Sequence, residues 1–147
     1  MLALGAGIMA LLCLGGVGVF VALYDDATEI KRTAPDAVAD SFIRAYLVNR
    51  DDNEAQLYAC SDGFDYGPIS SLRTEILNRE KKFDVTVSVT WSTLTLSSKG
   101  QSETRVSTDL TIAGFSDGVS VSRRTENWSF DLVDHGGWRV CGAVKSA

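Results

Sequence analysis

The apolar positions of this chain keep three different rhythms. From Leu2 to Tyr24 (LALGAGIMALLCLGGVGVFVALY) there is none: 23 residues pass without a charge, and Asp25 and Asp26 follow at once. As a helix at ~1.5 Å per residue, this run covers a hydrocarbon core of about 30 Å and makes its backbone hydrogen bonds internally. A transmembrane helix is expected over residues 1–24, held in the lipid bilayer through residues 2–24. A charged juxtamembrane connector over residues 25–33 and a single domain over residues 34–147 complete the layout.

The second rhythm is helical. Ala34-Pro35-Asp36 opens a helix, since proline suits a first turn and an acid there suits the helix dipole. Val38, Phe42, Ile43, Tyr46 and Leu47 share one face of it, which predicts an end near Arg50. Asp51-Asp52-Asn53 caps a shorter helix over Glu54–Ala59. Ser61–Pro68 (SDGFDYGP) reads as a loop. A third helix is expected over Ser70–Lys82, with Leu72, Ile76 and Leu77 inward and Glu75 paired to Arg79.

At Phe83 the period drops to two. Phe83, Val85, Val87, Val89 and Trp91 alternate with polar residues, as in a strand with one buried face. The apolar phase then slips to Leu94 and Leu96, and a bulge or bend near Ser92 accounts for the slip. Ser98–Gln101 is a turn; Val106, Leu110 and Ile112 mark a strand; Ser116-Asp117-Gly118 is a second turn. A long strand over Val119–Val133 puts Trp128, Phe130 and Leu132 on one face, Asp134–Gly137 closes a hairpin, and Trp138–Val144 ends the sheet. The order predicts an α+β fold: three helices packed on a bent antiparallel sheet of about four strands.

Charge narrows the function classes. All 14 basic and 19 acidic residues follow Tyr24, and the net charge is −5. Nucleic acid is excluded as a partner on that balance. The basic pairs do not reverse it: Lys81 and Lys82 complement the end of a helix, and Arg123 and Arg124 alternate across a strand. A cleaved signal peptide is the rival reading of the first segment. It is disfavoured by the length of the run, the lack of a basic segment before it and the lack of a good small-residue cleavage site. Leu12 before Cys13 likewise stands where a lipobox requires a small residue. Ala6/Ala10 and Gly18/Ala22 are small-xxx-small pairs through which another membrane helix could approach closely. Lys31 and Arg32 taken alone point the domain mildly inward.

Catalytic patterns are sparse. The one histidine, His135, falls in a hairpin turn, which is poor scaffolding for a triad. Gly118–Ser122 (GVSVS) lacks the second glycine of a nucleophile elbow. Asp62 and Asp65 miss calcium-loop spacing, and no Cys/His cluster occurs. No catalytic residue, metal ligand or cofactor is expected. Asn127-Trp128-Ser129 matches a glycosylation sequon but falls in a strand.

Two segments carry a family resemblance: APDAVADSFIRAYLVNRDDNEAQLYAC, ending at Cys60, and WSFDLVDHGGWRVCGA, which contains Cys141. In layout the region after the membrane run resembles the NTF2-like superfamily, and more narrowly its small membrane-anchored actinobacterial members, including Mce-associated membrane proteins. The resemblance implies a cone in which a bent sheet wraps the helix Pro35–Arg50. It also implies a cavity lined by Phe42, Tyr46, Tyr58, Tyr66, Trp91 and Trp128. Enzymes of this superfamily act through an acid or base inside the cone, and Tyr46, Tyr58, Tyr66, Asp62 and Asp65 would be the candidates. The blander roles are core tyrosines and turn-capping aspartates. With that layout, Cys60 and Cys141 are expected to form a disulfide closing a loop of about 80 residues; the alternative is two unrelated buried thiols. A disulfide belongs outside the reducing cytoplasm, so it turns the orientation outward against the weak charge signal. The expected protein is a single-pass cell-membrane protein. Its non-catalytic extracytoplasmic domain would be an accessory or scaffold for a cell-envelope complex, with other membrane or envelope proteins as partners. The alternatives are a module or enzyme taking a small apolar ligand in the cone, and a protein secreted after signal cleavage.

Overall fold

A computed structural model describes residues 32–147. The membrane run, most of the connector and the Ala6/Ala10 and Gly18/Ala22 pairs lie outside the described residues. Among the described residues no helix is long and apolar enough to cross a membrane.

Helix α1 spans Pro35–Ile43 and continues without a break as a π-helical segment, Arg44–Asn49. Pro35 occupies its first turn, and Arg50 ends it in the left-handed conformation. The expected end is therefore met, but the last six residues are wound i→i+5, which the apolar spacing did not signal. Helix α2 is Asp52–Gln56, shorter and earlier than Glu54–Ala59. Its N-cap is Asp51, whose carboxylate accepts from the Glu54 N–H. Helix α3 runs Gly67–Phe83, three residues longer at the start because Pro68 enters the first turn rather than the loop.

The sheet holds β1 (Thr86–Trp91), β2 (Thr95–Ser98), β3 (Glu103–Ser116), β4 (Val119–Asp134) and β5 (Trp138–Lys145), all antiparallel. The order is β1-β3-β4-β5, with β2 also on β3, so four rows result and β1 and β2 are two halves of one. Trp91 lies opposite Leu110 and Thr95 opposite Ser107, which leaves one extra residue between the halves. That is the bulge the phase slip at Ser92 predicts. Further register shifts at Gly114/Phe115 and Asp131/Leu132 help curl the sheet. The two-residue turn Asp117-Gly118 has positive φ at both positions, 49° and 76°, the backbone a tight hairpin requires.

The core lies between the helices and one face of the sheet. Val38, Phe42, Ile43 and Leu47 meet Ile69, Leu72 and Ile76 over Val106, Leu110, Ile112, Trp128, Phe130, Leu132 and Val140, all buried. Three expected positions differ. Phe83 is the last residue of α3 and 60% exposed, because the helix continues through Lys82 and reverses at Asp84, which is left-handed. Leu77 is 42% exposed, off the Leu72–Ile76 stripe. Glu75 accepts twice from Arg124 on β4, at 2.6 and 2.9 Å, in place of the expected Arg79 pair. Sheet and helix are thereby tied across the fold rather than along one helix.

A second tie joins three elements. Arg50 donates to both Glu80 oxygens at 2.8 Å, and Glu80 also accepts from the Val87 N–H at 3.0 Å. The Arg50 hydrogen bond holds the Glu80 carboxyl below its ordinary range, and the Val87 N–H adds to this against a burial penalty. A carboxylate with a depressed folded value stabilises the fold above its unfolded pKa. That contribution is lost as pH falls through the folded one. Glu80→Gln is expected to cost about 2 kcal/mol at neutral pH, the scale of hydrogen bonds to charged groups. The difference from wild type should vanish in denaturation series carried to pH values where Glu80 is protonated. A gap that persists unchanged into strong acid would assign the loss to packing.

The outer edge of β5 is covered by the segment after α2. Cys60 N–H donates to Val140 O, and Val140 N–H donates to Tyr58 O, both at 2.8 Å. Parallel bridges pair Ala59 with Val140 and Asp65 with Gly142. Cys60 and Cys141 form the expected disulfide there, with Cα atoms 5.0 Å apart. A strand edge left open invites pairing with other chains, and here it is closed by a cross-linked segment.

Candidate functional site

The space between α1 and the sheet, where the cone cavity is expected, is filled by aromatic rings. Phe42 stacks on Tyr46 with centroids 5.7 Å apart and meets Phe64 at 5.4 Å and Phe130 at 6.3 Å. Phe42 and Trp128 are buried in the core. Trp128 turns its indole N–H to Glu126 at 3.2 Å.

Concave space opens instead where the π-helical segment, α2 and the loop before α3 meet. A cleft of about 270 Å³ is lined by Tyr46, Asp52, Ala55, Gln56 and Tyr66. A second, of about 450 Å³, shares Gln56 and Tyr66 and adds Cys60, Ser61, Gly63 and Phe64. Each wall has a local cause. The wide i→i+5 turn carries Tyr46, a type of winding often found at functional positions. Arg73, one residue after the core Leu72, lies over the Tyr46 ring at 4.7 Å, donates to Arg50 O at 2.8 Å and pairs with Asp52. Tyr66 packs against Phe64 and Tyr46, at 3.8 and 5.6 Å. Burial, then the neighbouring Tyr46 and Asp52, pushes its phenol above the ordinary value, so it remains a hydrogen-bond donor at neutral pH.

Of the six side chains expected around one cavity, the structure brings Tyr46 and Tyr66 together at this cleft. Trp91 lies in a separate groove of about 350 Å³ with Arg44, Val48, Val89 and Thr90, its N–H donating to Asp40 at 2.8 Å. Tyr58 is half-buried beside the covered edge of β5. Asp65 accepts from the Gly67 N–H at 2.9 Å and so caps the turn into α3, while Asp62 is exposed. His135 is exposed at its hairpin. Sequence reasoning missed Arg73, Asp52 and Gln56. Arg73 read as an ordinary surface residue of a helix, and only the approach of α3 to Tyr46 gives it a role. Chemically the cleft offers phenol and amide hydrogen bonds and a planar aromatic face.

No protein-family model matches the chain, and no curated protein matches it. Solved structures do. One, described as Rd1NTF2_04 with long sheet, is 13% identical with a TM-score of 0.46, the match covering 77% of this chain and 100% of that one. Another, described as a “putative aromatic ring hydroxylase” from Novosphingobium aromaticivorans, is 13% identical with a TM-score of 0.43, over 75% of this chain and 83% of that one. The hydroxylase description belongs to that protein.

Proposed function

We propose that this is a single-pass membrane protein whose extracytoplasmic domain is an NTF2-like cone of the membrane-anchored, Mce-associated type. The domain serves as a non-catalytic accessory or scaffold within a cell-envelope assembly. The filled interior carries this reading. With Phe42 and Phe130 fully buried between helix and sheet and Phe64 packed on Phe42, the working surface of the domain is its outside. The uncharged run Leu2–Tyr24 supports the anchor, and the Cys60–Cys141 bond supports an oxidising compartment. Phe83, Val119 and Val121, 60%, 65% and 56% exposed, are apolar area of the kind partners cover.

The test is crosslinking in the native envelope, then mild-detergent capture of the full chain. A stable higher-mass complex containing other envelope proteins is the expected result. Recovery of a lone monomer at native abundance would overturn the scaffold role.

A second reading, small-ligand binding, is favoured by the cleft where Tyr46 and Tyr66 stand beside the Asp52 carboxylate. Native mass spectrometry of protein released gently from its membrane should then show a bound small molecule lost on Tyr66→Ala. An unliganded mass in both samples removes that reading.

A further inference from the structure

The two outer edges of the sheet are finished differently. The edge of β5 is covered by the segment after α2, whereas that of β1 pairs with nothing among the described residues. Ser92 N–H donates to Asp109 O at 3.1 Å, in line with the β1–β3 register, so Ser88, Thr90 and Ser92 bond toward β3. Val87, Val89 and Trp91 therefore aim their N–H and C=O groups away from the sheet. Glu80 accepts from the Val87 N–H at 3.0 Å and occupies that end of the edge. The bulge after Trp91 closes the other end. Between them, the backbone groups of Val89 and Trp91 have no hydrogen-bond partner among the described residues. Edges are normally blunted by charge, proline or cover. From Thr86 to Ser98 this chain carries no charge, proline or glycine. A groove of about 350 Å³ lies beside the open stretch, lined by Arg44, Val48, Val89, Thr90 and Trp91, with Val48 46% exposed.

Unpaired strand groups call for another strand, and this edge is complementary to itself. A second copy, turned about a two-fold axis at Thr90, places Val89 opposite the partner's Trp91 and Trp91 opposite the partner's Val89. Those two pairs use every N–H and C=O left open on both copies. Thr90 faces the partner's Thr90, and Glu80 stays outside the ladder. A register centred on Val89 would instead drive the partner's Trp91 onto Glu80. Charge matches as well. Asp40 and Arg44, paired at 3.2 Å and both in contact with Trp91, give each copy one charge of each sign at the joint. A two-fold contact closes on itself, so pairing stops at two copies.

We propose that two copies of this chain join through the β1 edge, antiparallel and centred on Thr90, into one continuous sheet. The pairing rests on the described domain alone and needs neither functional reading above. It is tested on the full chain in mild detergent, with Cys13→Ser and the Cys60–Cys141 bond intact, carrying one added cysteine. Residues facing each other in a non-hydrogen-bonded pair have Cα atoms about 4.5 Å apart, within disulfide reach. On mild oxidation Thr90→Cys should therefore cross-link at least about tenfold more than Ser88→Cys, whose two copies stand roughly 13 Å apart in this register. Thr90 is exposed, so Thr90→Lys and Thr90→Glu spare the core. Each alone should be a monomer by light scattering, because like charges would face each other, and a mixture of the two should recover the dimer. Equal cross-linking of Thr90→Cys and Ser88→Cys, or none in either, overturns the edge pairing. So does a mixture that stays monomeric. A dimer that persists in Thr90→Lys alone puts the joint on another surface and overturns it too.

Discussion

Phe42→Ala should cost about 3–5 kcal/mol, the usual range for removing a buried aromatic ring. Phe42 is fully buried and touches rings from three separate parts of the chain: Tyr46 on its own helix, Phe64 in the loop before α3 and Phe130 on β4. None of these can collapse into the vacated space without dragging its own backbone, so a cavity term adds to the lost burial. Against a total stability of ~5–15 kcal/mol, one such change unfolds a marginal domain at moderate denaturant. Guanidinium titration of the full chain in mild detergent, followed through the buried Trp128, should show the midpoint fall with little change in slope. Leu57→Ala, at an exposed site, should stay within about 0.5 kcal/mol of wild type. A loss below about 1 kcal/mol for Phe42→Ala would mean that the interior is loosely filled. The ligand reading would then gain what the scaffold reading loses.

Tyr46 on the cleft wall and Arg73 over its ring show why fold and site were not equally legible. Helix and strand came from period, which each residue carries locally. The change near Phe83, the slip between Trp91 and Leu94, and the Asp117-Gly118 turn were all visible one dimension at a time. Boundaries were less so, because Phe83 satisfies both the last turn of a helix and the first step of an alternation. Asp84, left-handed, decides between them only in the folded chain. Tyr46 fitted the apolar stripe of α1 and was readable as inward-facing. Its place on a cleft wall depends on the π-helical turn and on Arg73, which arrives from 27 positions later in the chain. Pairings across the fold, such as Glu75 with Arg124, are equally silent in sequence, since a neighbour at i+4 always offers a simpler partner.

Replacing both Cys60 and Cys141 by serine should lower stability by about 4 kcal/mol, as loop closure over 81 residues predicts in the chain-entropy model. The bond also holds the segment that covers β5. Without it, the backbone pairing of that cover is the Ala59–Val140 bridge, made of two hydrogen bonds each contributing about 1 kcal/mol net, and the Asp65–Gly142 bridge. Phe64 and Tyr66 lie within the covering segment, so loosening it also loosens one wall of both clefts. Reductant should move the wild-type guanidinium curve onto that of the double variant and leave the variant's own curve unmoved. A wild-type curve indifferent to reductant would remove the disulfide from the ledger of stability. Alkylation before lysis then ties the fold to its compartment. The chain has three cysteines, and Cys13 lies in the apolar run. Protein taken from its native membrane should therefore carry one alkylatable thiol before reduction and three after. Three free thiols before reduction would place the domain in a reducing compartment and reverse the orientation, while the fold and its covered edge would stand.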